Sequence, residues 1–427
     1  MKKTLLFAFF ALLIGQAFAT QSAFTLKEND TWVMAGDSIT AQRLHTNYLE
    51  AFFRTRYPQL QLHFRNSGIG GNTTGSVLGR FDYDVAAWNP TIVSIELGMN
   101  DVGGTLTNYI VGMTKLIEQI RTLKAEPLLI SSSPVNDGSL QDAWTSDRCR
   151  NIHPFTEALK DLGQKENVRM VDQYHPLLAL WGPNKTLDEA NSFAARIRLL
   201  KPEDHVPDLK VLQAFAKSWE GKPAAISLGG DAVHPGPVGQ YQMAATILAA
   251  LDVDREVSSA TLKPDGTVVS AKGCKITNSV SQAGKLTFTR LDERSPWPLL
   301  PEAIPATTLL PQIADLSRYT LTISSLPAGQ YSVSMDGKLV ATLSHKDLAN
   351  GWNMSTLRDG PLGERADKIY GLISALQGSL NNAWRTASKE KNQEKLAAAQ
   401  KAITENEVQL QAAVQPVPIH FEIAPVK

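Results

Sequence analysis

Ser38, Asp231 and His234 are the residues of this 427-residue chain whose types suit nucleophilic acyl transfer. A serine hydroxyl is a poor nucleophile until a base takes its proton, and an imidazole base works best when a carboxylate orients it. Ser38 stands in Gly36-Asp37-Ser38-Ile39-Thr40, just where the apolar run Trp32 to Ala35 gives way to a helical pattern. That puts it at the carboxyl end of a predicted strand, the edge at which open α/β sheets bind ligands. Asp231-Ala232-Val233-His234-Pro235 precedes an apolar-periodic helix over Pro237 to Leu251, so a base and its orienter come from one short loop. Asp172-Gln173-Tyr174-His175-Pro176 repeats the D-x-x-H-P spelling, but it ends a predicted strand and opens an apolar helix. That context suits a capping aspartate and a histidine packed at a helix start, whereas Asp231 follows the flexible pair Gly229-Gly230. Either pair alone is more often structural than catalytic; the second is lifted by the residues near the first half of the sheet.

Those residues are hydrogen-bond donors. Asn66-Ser67-Gly68-Ile69-Gly70-Gly71-Asn72-Thr73 follows the second predicted strand and Gly98-Met99-Asn100-Asp101 the third, so both loops emerge on the edge that carries Ser38. Glycines let free backbone N–H groups approach a ligand, and Asn100 offers a side-chain amide, which are the donors an oxyanion hole needs. The glycine loop is not a nucleotide cradle: no G-x-G-x-x-G occurs, and no Gly-Lys is followed by Ser or Thr.

The elements that must hold these residues alternate. Val33 to Ala35, Leu60 to Arg65, Thr91 to Leu97, Pro127 to Ser132 and Val168 to Asp172 read as strands, with helices near 44–56, 75–88, 106–124 and 147–165. Such βαβ repetition predicts a mostly parallel sheet. A polar, helix-rich stretch runs from Asn184 to Glu220, and a boundary is expected near Asp254. Residues 255–345 predict an antiparallel β unit of about six strands. Residues 346–427 predict a helical region with two helices, the second over about 386–412, and a possible closing strand at Pro418 to Ile423.

Lys2 and Lys3 precede the apolar run Leu5 to Ile14, and Ala17-Phe18-Ala19 gives a small-x-small site, so residues 1–19 read as a signal peptide and the mature chain from 20 as exported. Lys+Arg 42 against Asp+Glu 42 leaves no net charge, which gives no support to nucleic acid or an anionic membrane surface as partner. Two cysteines, Cys149 and Cys274, cannot make a disulfide framework; they form one bridge or stay as buried thiols. No H-E-x-x-H and no cysteine–histidine cluster is spelled out, so no metal or cofactor is expected.

Taken together, Gly36-Asp37-Ser38, Asn66-x-Gly68-x-x-Gly71-x-Thr73, Gly98-x-Asn100-Asp101 and Asp231-x-x-His234-Pro235 resemble the four signature blocks of the SGNH (GDSL-like) hydrolase superfamily, in order and in loop position. The resemblance covers roughly residues 30–252. It implies a three-layer α/β/α flavodoxin-like domain over 20–254, with Ser38 as nucleophile, His234 as general base and acid, and Asp231 as orienter. It also implies an oxyanion hole from the N–H groups of Ser38 and Gly71 and the side chain of Asn100. No G-x-S-x-G elbow occurs, which argues against the α/β-hydrolase fold. Ile39-Thr40 after the serine is a spelling similar to bacterial carbohydrate esterases. The expected reaction is hydrolysis of small acyl esters, acetyl on a glycan first. A lipase, lysophospholipase or thioesterase of the same superfamily comes next, and a non-catalytic secreted carbohydrate-binding protein is the reading from another class. Trp88, Trp144, Trp181, Trp219, Trp297, Trp352 and Trp384 could stack sugars, but tryptophan is more often core, and none is assigned as a ligand.

Overall fold

Five parallel strands, in the order β2-β1-β3-β4-β5, form the sheet that carries the candidate residues: β1 (Thr31–Gly36), β2 (His63–Gly68), β3 (Ile92–Glu96), β4 (Glu126–Ile130) and β5 (Arg169–Val171). This is a computed structural model, and it describes residues 23–135, 147–181, 201, 209–218, 233–309 and 311–426. The helices His45–Arg56, Thr74–Asp84, Leu106–Thr122, Asp147–Glu166 and Pro237–Ala250 complete an α/β/α sandwich on the parallel sheet that the repetition predicts, with the flavodoxin-like strand order that the resemblance implies. Gly36 lies opposite both Gly68 and Glu96 in the register, so the loops leaving β1, β2 and β3 start level with one another.

β2 departs from its sequence expectation by three residues. Leu60 belongs to a turn, its N–H donating to the Tyr57 carbonyl at 3.0 Å, and the strand continues through Asn66-Ser67-Gly68, residues that read as loop. These polar residues are buried at the edge of the sheet because another part of the chain satisfies them. Gln377 donates to the Phe64 carbonyl (2.8 Å) and accepts from the Asn66 N–H (2.9 Å), while Asn381 and Arg385 donate to the Asn66 carbonyl at 2.7 and 2.9 Å. Open strand edges are aggregation templates, and this one is closed by side chains.

Those side chains come from the π-helical turn Leu376–Leu380, which holds Gln377, and from the helix Asn381–Glu390; the turn joins that helix without a break to the helix Pro361–Ala375. The break falls after it, where Lys391 takes a left-handed φ of 54° and Asn392 caps the helix Gln393–Val414 by accepting from the Lys395 N–H at 3.0 Å. Trp88 and Trp384 stack with centroids 3.4 Å apart, and Ile369, Ile373, Ile403 and Leu410 belong to the same buried apolar cluster as Trp32, Phe53 and Phe64. The charge-laced last helix is thus a packing arm of the α/β core. Its Glu407 lies against Arg65 (2.8 Å), His63 (3.0 Å) and Arg54 (3.8 Å). Burial works against the charge of Glu407, but the hydrogen bond from His63 and the two guanidinium groups hold its carboxyl down at about 2.

The β-rich region differs from the expected antiparallel unit. It forms two sheets, one with β7 (Val268–Lys272) and β13 (Trp352–Asn353) at its edges in the order β13-β10-β6-β7, the other with β8 (Cys274–Gln282) and β12 (Lys338–Ser344) at its edges in the order β12-β11-β14-β9-β8, and β6 (Glu256–Leu262) pairs in parallel with β10 (Arg318–Ile323). β14 (Ile419–Pro425), where a closing strand was expected at Pro418 to Ile423, sits between β9 (Lys285–Asp292) and β11 (Gln330–Met335) and pairs antiparallel with both, so it joins two hairpins at the centre of a sheet. A second apolar cluster, including Phe288, Val333 and Phe421, lies between the two sheets.

Candidate active site

Ser38 opens a four-residue helix, Ser38–Ala41, at the end of β1, and Asp37 caps it by accepting from the Ile39 N–H at 2.9 Å. Pro235 and Gly236 lead into the helix Pro237–Ala250, which brings His234 over the same edge. The His234 Nε2 stands 2.8 Å from the Ser38 Oγ, and both side chains are part-exposed. Asp231 lies outside the described residues.

The loop after β2 passes directly over the serine. A Cβ at Gly68 would lie 2.4 Å from the Ala41 backbone nitrogen, so only glycine allows the strand end to touch the nucleophile's helix. Gly71 has φ +72°, the left-handed region that favours glycine, and exposes its backbone at the rim. Asn100 reaches across from the loop after β3, its Nδ2 donating to the Asn72 carbonyl at 3.1 Å and lying 3.4 Å from Asp37 Oδ2. A hydroxyl, an imidazole within hydrogen-bond reach of it, and amide donors at the carboxyl edge of one parallel sheet are therefore neighbours.

Residues 34–191 match the GDSL-like Lipase/Acylhydrolase family, a segment that includes Ser38, Gly71 and Asn100 and stops before His234. That segment is similar to the GDSL-like lipase/acylhydrolase family. An acetylxylan esterase from Geobacillus stearothermophilus is 40% identical over 137 residues, which are 29% of this chain and 60% of that relative's length. A solved structure described as a gut microbial diltiazem-metabolizing enzyme superposes on 95% of this chain and 100% of its own with a TM-score of 0.74 at 18% identity. That likeness shows that the fold, the C-terminal regions included, recurs as one unit.

Around the serine of this GDSL-like domain the buried charges are more numerous than the sequence patterns reveal. Asp37 is almost fully buried; burial raises its carboxyl to about 7 against the Ile39 N–H that favours the charge, with the neighbouring Glu96 adding to the rise. Glu96, the one carboxylate of β3, lies 2.9 Å from His45 Nε2 and accepts from Gln173 at 2.8 Å. Burial opposes a charge on His45, but Glu96 and Gln240 together raise its pKa. Gln240 Oε1 stands 2.6 Å from His45 Nδ1, its Nε2 donates to Gln42 at 2.7 Å, and Gln42 donates to the Pro235 carbonyl at 3.4 Å. A polar chain, buried from Glu96 to Gln240 and surfacing at Gln42, thus runs from the end of β3 to the residue after His234, and the glutamate in the β3 run was the sequence signal for it.

The glycine loop has its own anchor, also unread in the sequence. Arg80 donates to the Asn72 side chain (2.8 Å) and to the Ser67 hydroxyl and carbonyl (both 2.6 Å), and pairs with Asp84; Arg385 reaches the other oxygen of Asp84 at 2.6 Å. Asp101 ties the Asn100 loop down by accepting from the Thr74 N–H (3.0 Å) and hydroxyl (2.8 Å). From Asn100 an open cleft of about 610 Å³ runs past Thr73, Thr105, Asn108 and Lys115.

The second D-x-x-H-P copy behaves as its context predicts. Asp172 Oδ1 accepts from the His175 N–H at 3.1 Å, a helix cap, and the His175 ring faces Glu157. Trp88, Trp297 and Trp384 are core; Trp144, Trp219 and the Trp181 side chain lie outside the described residues. So do residues 1–19 and the Cys149 side chain, while Cys274 is a free thiol donating to the Ser259 carbonyl at 3.5 Å. Among the described residues no helix is long and apolar enough to cross a membrane.

Proposed function

We propose that the chain is an exported serine ester hydrolase that removes small acyl groups, acetyl first, from a glycan. The observation that carries this reading is the 2.8 Å contact between His234 Nε2 and Ser38 Oγ beside the Asn100 amide. In the proposed reaction His234 takes the Ser38 proton as the oxygen attacks the ester carbonyl. The N–H groups of Ser38 and Gly71 and the Asn100 side chain hold the oxyanion, and the leaving alcohol receives the proton. Water then repeats the steps on the acyl-serine and frees the acid, with Asp231 orienting the imidazole. The GDSL-like family match supports ester hydrolysis, and the partial likeness to an acetylxylan esterase supports an acetylated sugar as the substrate class. The open cleft beside Asn100 leaves room for the alcohol part of the ester, with Thr73, Thr105 and Asn108 among its lining residues to meet hydroxyl groups. Lys2, Lys3, the Leu5 to Ile14 run and Ala17-Phe18-Ala19 support export with cleavage near Ala19.

The test compares the wild-type chain with Ser38→Ala on p-nitrophenyl acetate, butyrate and octanoate, and on acetylated xylan. Serine-dependent release that falls with acyl length, together with acetate release from the polymer, is the expected result. Preference for octanoate makes it a lipase; no serine-dependent release on any of them overturns the enzyme reading.

A further inference from the structure

His153 and Glu157 lie one turn apart on the helix Asp147–Glu166, and His175 stands at the start of the helix Tyr174–Trp181. One ligand atom from each lies within 4.8 Å of the other two. Asp172 decides which nitrogen His175 offers. Its Oδ2 stands 2.7 Å from Nδ1, and a carboxylate only accepts, so the neutral ring carries its proton on Nδ1 and turns the Nε2 lone pair toward Glu157. The Glu157 Oε1 is 3.4 Å from that nitrogen. This is longer than an ordinary N–H···O bond, and it matches the ligand–ligand edge of a tetrahedral zinc site with bonds of about 2.0–2.1 Å. The histidine rings cross at 84° with centroids 5.6 Å apart, so they converge on the carboxylate without stacking on each other.

We propose that His153, Glu157 and His175 bind one divalent transition-metal ion, with Asp172 as the carboxylate that orients His175. Two imidazoles and a carboxylate are a donor set suited to zinc, and a carboxylate behind a ligating histidine is its usual support. The ion's place in the fold makes it a structural pin. Ile152 and Tyr174, next in sequence to the two histidines, share a small apolar cluster with Ile39 and with the part-buried Val233, the neighbours of Ser38 and His234. Joining the two helices fixes the floor on which the Ser38–His234 pair rests. The sequence concealed the site because its ligands are divided between two helices and the nearer pair, His153 and Glu157, has no flanking motif.

The test is calorimetric titration of zinc chloride into the EDTA-treated full chain, with thermal unfolding followed in parallel. The expected result is one zinc per chain and a melting midpoint that rises with zinc and is unmoved by magnesium, which prefers an all-oxygen shell. His153→Ala and His175→Ala abolish saturable binding, and Asp172→Asn weakens it about 10- to 100-fold. Glu157→Gln, nearly isosteric and part-exposed, keeps the fold and loses the affinity, which separates ligation from unfolding. Absence of saturable zinc binding by the folded protein, or wild-type affinity in Glu157→Gln and both histidine variants, overturns the proposal.

Discussion

The imidazole of His234 and the hydroxyl of Ser38 are 196 residues apart in the chain and 2.8 Å apart in the fold. In the proposed mechanism they act as one unit, so their losses do not multiply. Ser38→Ala and His234→Ala each lower kcat on p-nitrophenyl acetate by about 10⁴-fold or more, and the double variant is no worse than the weaker single. His175→Ala loses less than tenfold, because its ring is engaged by Asp172 and Glu157. A double variant slower by the product of the two single effects contradicts the pairing.

Asn100 donates to the Asn72 carbonyl in the free protein, and in the proposed reaction turns that amide to the developing oxyanion. Asn100→Ala is expected to cost about 10²- to 10³-fold in kcat, ~3–4 kcal/mol, with KM little changed. Steady-state kinetics that put the loss in KM instead would remove Asn100 from the oxyanion hole.

Stability should fall on both sides of its optimum for separate, assignable reasons. Burial raises the Asp37 carboxyl from 3.8 to about 7, so the folded state binds that proton more tightly than the unfolded chain. Its contribution is complete below about pH 4 and is lost as pH rises toward 7. Glu407 is held at about 2 against an ordinary 4.5, and its contribution, on the order of 3 kcal/mol, is present above pH 4.5 and lost as pH falls toward 2. Urea midpoints measured from pH 3 to 8 should flatten on the neutral side in Asp37→Asn and on the acid side in Glu407→Gln. Curves parallel to the wild type would show that these two carboxyls do not set the limits.

Gln377 satisfies the edge of β2 from inside the core. Gln377→Leu leaves the Asn66 N–H, the Phe64 carbonyl and a Glu50 carboxylate oxygen without that partner, and should destabilise the protein by about 2–5 kcal/mol. Chemical denaturation measures it, and a change under about 0.5 kcal/mol would mean that the edge is satisfied some other way.

The five strands and their parallel order were legible because apolar runs alternate with amphipathic ones, and the order of Ser38, Gly71, Asn100 and His234 along the chain foretold which loops would meet. What was not legible depended on partners hundreds of positions away. Asn66-Ser67-Gly68 reads as loop until Gln377, Asn381 and Arg385 are seen closing it. Arg80 lies in a predicted helix with no motif of its own, and its role shows only when its guanidinium is found on Ser67 and Asn72. The parallel pairing of β6 with β10 escaped because strand alternation reports which face is buried and says nothing of the neighbour's direction.

The central seat of β14 has a consequence in time. Hairpins β8–β9 and β11–β12 (Lys338–Ser344) have no strand in common until residues 419–425 insert between them. A ribosome that has released residue 400 has therefore made the whole catalytic candidate and both hairpins, yet this sheet is still in two halves. Contacts of such long range form late, so the accessory sheet, whose hairpins are translated before the helices that close the edge of β2, locks only after those helices have been synthesised.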